Sequence, residues 1–150
     1  MQTECLVQIP DSLIADLNAK ATATLLEVPA NNPTNIISHD QKYVVRVCLD
    51  FQSKWKKIIC AEWCINLGVE GCGSAKEFGR TAVIKLDPCK TTPDCYDFEI
   101  DGKDFESANS NHCGEVFSFC LSGILRDSCP GSNLPLGVAF MCNLGPVMVY

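Results

Sequence analysis

Along most of the chain apolar and polar residues alternate with a period of two, the repeat of an extended strand whose side chains point to opposite faces. In Tyr43–Phe51 the odd positions Tyr43, Val45, Val47, Leu49 and Phe51 are apolar, while Arg46, Cys48 and Asp50 fall on even ones. Ile59, Ala61, Trp63, Ile65 and Leu67 repeat the pattern. Further strands are predicted near Thr22–Val28 and at Thr81–Leu86, Cys95–Ile100, Val116–Ser122, Gly137–Cys142 and Val147–Tyr150, separated by Gly, Pro, Asn and Asp clusters. Helical periodicity is nearly absent. The single candidate is Ser12–Lys20, with Asp11 or Ser12 as a cap before Leu13, Ile14 and Leu17.

About seven to eight short strands without intervening helices predict an all-β protein, an antiparallel immunoglobulin-like β-sandwich with Trp63 in its core. Residues 1–19 read as a short N-terminal arm and 20–150 as the sandwich domain. A length of 150 residues suits one domain with a real core and leaves no room for two comfortable ones.

Composition narrows the function classes. With 47% apolar and 20% charged residues the chain is globular rather than disordered. A net charge of −6 argues against nucleic acid and against adhesion to an anionic membrane surface. No apolar run approaches the roughly 18 residues of a membrane span. Eleven cysteines imply an oxidising compartment or a metal site. The start, MQTECLVQIPDSL, lacks the basic and apolar regions of a signal peptide. An extracellular or cell-surface location is expected from the thiols, with the cytoplasm as the alternative.

The cysteines are too scattered for one metal site. Within "IICAEWCINLGVEGCG" (58–73), Cys60 and Cys64 lie on one predicted strand, about 13 Å apart. Bonded cysteines have Cα atoms within about 7 Å, and zinc bonds of ~2.3 Å cannot easily join the two either. Their partners must come from neighbouring strands. A hairpin of Tyr43–Phe51 with Ile59–Leu67 sets Cys48 opposite Cys60 or Cys64, depending on register, and both registers keep the apolar faces together. A bridge from Cys48 to one of them is expected.

Cys72, Cys89, Cys95, Cys113 and Cys129 fall mostly in loops or at strand ends and complete the disulfide candidates. Cys89 and Cys95 enclose "KTTPD", a loop that a local bridge could close. Cys120 and Cys142 lie inside predicted strands, where a free thiol packs as a small hydrophobe. An odd number of cysteines leaves at least one over. Cys5, on the arm, is the candidate for an intermolecular bond, with a free Cys5 as the alternative. No C-x-x-C occurs, so neither zinc-ribbon nor thioredoxin spacing is present, and no metal ligand set or cofactor is expected.

Other motifs carry weak chemistry. Asp97–Gly102 imitates the start of an EF-hand loop, but the twelfth position, which needs a bidentate glutamate, is Ala108. Tyr96, Phe98 and Ile100 alternate with Asp97, Glu99 and Asp101, which reads as a strand with an acidic outer face. The loop "SKWKK" offers Lys54, Trp55, Lys56 and Lys57 as partner-contact candidates for an anionic ligand or a protein, a solvated tip being the alternative. His112 and Cys113 are adjacent and point apart on an extended chain, while His39 is distant in sequence. Nothing matches G-x-S-x-G, H-E-x-x-H or a phosphate-binding loop, and Gly71–Lys76 reads as a turn. No catalytic residue is expected.

Cys60-Ala-Glu-Trp-Cys64, with Asn66–Gly71 following and Asp87-Pro-Cys89 beyond, resembles small bacterial β-sandwich proteins that carry a CGxWC strand and a Pro-Cys loop. Ala61 stands where those proteins have glycine. The resemblance implies the sandwich fold and transfers no activity. The function expected is a non-catalytic structural or self-assembly subunit, its apolar arm "ECLVQIP" adding a strand to a neighbouring copy. A binding module for a protein or glycan, engaging it through loops 52–57 and 103–114, is the alternative. A cysteine-dependent enzyme or metal protein ranks third.

Overall fold

A computed structural model describes residues 2–10, 17–57, 59–71, 77–105, 114–129 and 132–150. The alternating segments fold as strands: β1 (Thr3–Glu4), β2 (Leu6–Gln8), β3 (Leu17–Glu27), β4 (Asn32–Pro33), β5 (Ile36–Ile37), β6 (Lys42–Ser53), β7 (Ala61–Gly71), β8 (Phe78–Lys85), β9 (Asp94–Asp101), β10 (Glu115–Asp127) and β11 (Pro135–Val149). They form two sheets. The first has the order β1-β3-β6-β9, with β4 beside β3; the second has the order β2-β11-β10-β7-β8, with β5 beside β11. Only β5 with β11 runs parallel among these pairings; the rest are antiparallel.

One apolar cluster joins the inner faces. It takes Val45 and Val47 from β6, Phe98 and Ile100 from β9, Ile65 and Leu67 from β7, and Phe119 and Leu121 from β10. Trp63 is 2% exposed and meets Phe51 of the first sheet and Phe140 of the second edge-on, at 6.4 Å and 5.6 Å between ring centres. Among the described residues its indole nitrogen has no hydrogen-bond acceptor, so the side chain contributes through packing and ring contacts.

The expected hairpin between Tyr43–Phe51 and Ile59–Leu67 does not form. These segments, β6 and β7, lie in different sheets, and β6 pairs with β3 and β9 instead. Alternation sets which face of a strand is buried and leaves open which strand lies beside it. Two strands with apolar odd positions can share a sheet or face each other across a core about 10 Å thick. The connection after β6, which opens with a 3-10 turn at Lys54–Lys57, makes that crossing.

Several strand ends differ from the sequence expectation, and two of the differences change the element itself. Leu17–Lys20 is strand, not helix, because its backbone pairs with Asp50–Ser53 of β6; residues 12–16 lie outside the described residues. Gly137–Cys142 and Val147–Tyr150 belong to one strand, with only Tyr150 beyond its end. The inward series breaks between Leu144 and Val147, where the β10–β11 register shifts and Gly145 has φ 156°. That conformation is one L side chains rarely adopt.

The N-terminal residues take part in both sheets. Thr3 and Glu4 pair with Ala23 and Thr22 of β3, and Leu6–Gln8 pair with Ala139–Met141 of β11. The strand therefore changes sheets at Cys5 and covers two edges at once. It pairs within its own chain and covers part of the β3 and β11 edges, standing itself as the edge strand of each sheet.

Candidate functional site

Cys48 of β6 and Cys95 of β9 stand directly opposite each other and are joined, with an S–S distance of 2.02 Å and Cα atoms 4.1 Å apart. Cys48 thus bridges neither Cys60 nor Cys64, since β7 lies in the other sheet. Cys95, engaged across the sheet, does not close the loop back to Cys89, which is an exposed free thiol. Cys64 and Cys120 project from the outer face of the second sheet, whereas Cys142 is buried in the core. Cys72, Cys113 and His112 lie outside the described residues.

Two pairs of free thiols come together. Ser128 N–H donates to Cys60 O at 2.9 Å, which sets Cys129 beside Cys60 at the end of the β7–β10 ladder. The Cys129 thiol is pushed up to about 11 by its hydrogen bond to the Asp127 carboxylate and then by the Cys60 thiol. Hydrogen bonds from Cys129 and Ser132 hold Asp127 below the usual carboxylate range, the Cys129 N–H at 2.9 Å foremost. The second pair is Cys5 and Cys142. Cys5 packs against the core rather than standing outside it. Its thiol hydrogen-bonds to Cys142, which raises the pKa of Cys5 and lowers that of Cys142.

The basic loop divides by burial. Lys56 is 4% exposed and its Nζ donates to Lys90 O at 2.8 Å, so it ties the turn to a neighbouring loop rather than offering a charge to a partner. Lys54 and Lys57 are exposed, and the Trp55 side chain lies outside the description. The acidic strand β9 spends its carboxylates locally. Asp97 accepts two bonds from Arg46, at 2.7 Å and 2.8 Å. Asp101 accepts from Lys103 N–H, and Asp104 from Asp101 N–H and Arg80, so these groups cap the 3-10 turn at Gly102–Phe105.

A groove of about 450 Å³ runs between Pro33–Asn35 and Gly145–Val147, and one of about 310 Å³ lies beside Tyr43, Lys42 and Glu99. Neither is lined by a cysteine or histidine. Among the described residues no three His, Cys, Asp or Glu side chains converge as a metal site.

The largest feature that the sequence reading missed is the outer face of the second sheet. Register places Val83, Cys64, Ile124 and Ala139 in one row across β8, β7, β10 and β11. The next row holds Thr81, Asn66, Ser122, Met141 and Leu6, and the third Gly79, Gly68, Cys120 and Asn143. Three successive rows carry no charge. Leu6, Met141, Val83 and Ile124 are 74%, 57%, 50% and 42% exposed. The rows end at the Lys85, Glu62 and Arg126 row on one side and at Glu70 on the other. The outer face of the first sheet differs, bearing Lys20, Arg46, Asp50, Asp97 and Glu99. The signal was available as apolar residues on the outward positions of strands whose alternate positions fill the core, Ile124 at an even position of β10 and Val83 and Met141 at odd positions of β8 and β11.

Comparison with family models, with curated proteins and with solved structures finds no match to this chain, and the likeness to CGxWC proteins rests on its short motifs alone.

Proposed function

We propose that the chain is a non-catalytic structural or self-assembly subunit, and that the uncharged outer face of its second sheet packs against a second copy. The observation that carries this reading is the three-row face around Ile124 and Met141. Its small residues, Gly68, Gly79, Ala139 and Ser122, let another sheet approach closely, at the roughly 10 Å of sheet-on-sheet packing. The charge of the molecule favours a like partner on this side. A chain of net charge −6 repels its copy elsewhere, but two such faces bring no like charges together. Large exposed apolar patches on soluble proteins mark interaction surfaces.

The fold within this proposal is an immunoglobulin-like sandwich. Its support is strand order: β3, β6 and β9 on one side face β8, β7, β10 and β11 on the other, with β5 parallel along β11. Trp63 sits in the core on β7, the strand that follows β6 across to the second sheet, comparable to the buried tryptophan of antibody domains. The disulfide lies within one sheet, where antibody domains have theirs between sheets. A covalent Cys48–Cys95 bond also favours a location outside the reducing cytoplasm.

Light scattering on a sizing column tests the assembly. The wild-type chain is expected to elute as a dimer or larger, and the I124K/M141K variant as a folded monomer with an unchanged β-type circular dichroism spectrum. A monomeric wild type, or a variant that assembles as before, sinks the reading.

A further inference from the structure

The β2–β11 ladder pairs Gln8 with Ala139, Val7 with Phe140 and Leu6 with Met141. The next rung sets Cys5 opposite Cys142. The same direct opposition places Cys48 against Cys95, and that pair is bonded. Leu6 and Met141 point outward, so Cys5 and Cys142 both turn inward, toward the core they help to fill. Cys5 N–H is given to Ala21 O in the other sheet at 2.8 Å. The strand is therefore leaving the β11 ladder at this rung, with the Cys5 backbone held by the other sheet. The Cys142 thiol donates to Thr3 O at 3.9 Å, two residues from Cys5.

We infer that Cys5 and Cys142 are a disulfide-forming pair, which locks the N-terminal strand across the two sheet edges it covers. The oxidant is a small-molecule disulfide such as oxidised glutathione. Its sulfur–sulfur bond breaks as Cys5, the more exposed thiol, forms a mixed disulfide and releases one reduced glutathione. Cys142 then attacks the Cys5 sulfur, and the second glutathione leaves as a thiol. Two cysteine thiols and one glutathione disulfide become one protein disulfide and two glutathione thiols. The bond is intramolecular, so it uses Cys5 in a way that excludes a link between copies. It is independent of how the outer face of the second sheet is used.

The test is peptide mapping of the full chain after equilibration with oxidised glutathione and alkylation of the remaining thiols. The Cys48–Cys95 linked peptide serves as the internal sign that oxidation worked. The expected result is a second linked peptide joining the segments that hold Cys5 and Cys142, lost on reduction. In C5S the link disappears, Cys142 is recovered alkylated under denaturant, and Cys48–Cys95 persists. Susceptibility provides a second readout. A protease acting at Lys20 should release the N-terminal segment from the oxidised wild type only after reduction, and from C5S without it. Full alkylation of Cys5 and Cys142 in a chain whose Cys48–Cys95 bond has formed overturns the inference. So does a Cys5 crosslink to any other cysteine, in the same chain or in another.

Discussion

The ring of Phe140 occupies the space that a side chain at Gly123 would need. The two residues are opposite each other on β10 and β11, and a Cβ at position 123 would lie 2.2 Å from Cε1 and 2.7 Å from Cζ of the ring. Phe140 in turn meets Trp63 edge-on, and Trp63 meets Phe51 of the other sheet. The bare backbone at Gly123 is therefore what lets an aromatic bridge form between the sheets.

Gly123→Ala should overpack that site and destabilise the protein by about 1–3 kcal/mol. Gly68→Ala is the matched control. Its new Cβ would meet only Cys120 O, at an ordinary 3.8 Å, so its effect should stay within about 0.5 kcal/mol. Urea unfolding of both variants in the I124K/M141K background, where the face bearing Gly68 meets no second copy, checks the difference, and equal midpoints would refute the packing argument.

Two arginine–carboxylate pairs of similar geometry should differ in worth. Arg126 places Nε and Nη2 each 2.8 Å from Glu62 Oε1, and the Glu62 side chain is only 10% exposed. Arg46 grips Asp97 as closely, but those side chains are 39% and 37% exposed. Removing Arg126 leaves a nearly buried carboxylate without its donor. Arg126→Ala should cost about 1–3 kcal/mol, and Arg46→Ala about 0–1 kcal/mol, since water and salt screen the exposed pair. Chemical denaturation at low and moderate salt would show it. A larger loss for Arg46→Ala would reverse the assignment.

How much of this was legible in the sequence follows from what a side-chain pattern encodes. The inward faces of β6, β7 and β9 were readable because burial on one face forces alternation, and Trp63 sits where that alternation puts it. The partners of those faces were not. The pattern sets Cys48 opposite Cys60 or Cys64 and misses Cys95, because sheet membership depends on where the connections cross. Lys56 shows a second limit. A lysine in a basic loop reads as solvated, and only the position of the Lys90 carbonyl makes it a buried donor. The outer face around Ile124 and Met141 was hidden for a different reason, since each row is assembled from four or five strands distant in sequence.

Cys129 offers a chemical prediction with a definite sign. Its thiol is raised to about 11, led by the bond to the Asp127 carboxylate, which favours the protonated form. Alkylation runs through the thiolate, and a thiol with that pKa is ionised at about pH 8 only to the order of one part in a thousand. In the reduced protein, iodoacetamide should therefore modify Cys129 more slowly than the exposed Cys89, although both are accessible. The rate at Cys129 should keep climbing as pH rises toward about 11, and Asp127→Asn, which removes the negative charge, should raise it about tenfold at pH 8. Mass spectrometry of timed, quenched samples resolves the two sites. Equal rates at Cys129 and Cys89 near pH 8, or no acceleration in Asp127→Asn, would show that the carboxylate does not govern this thiol.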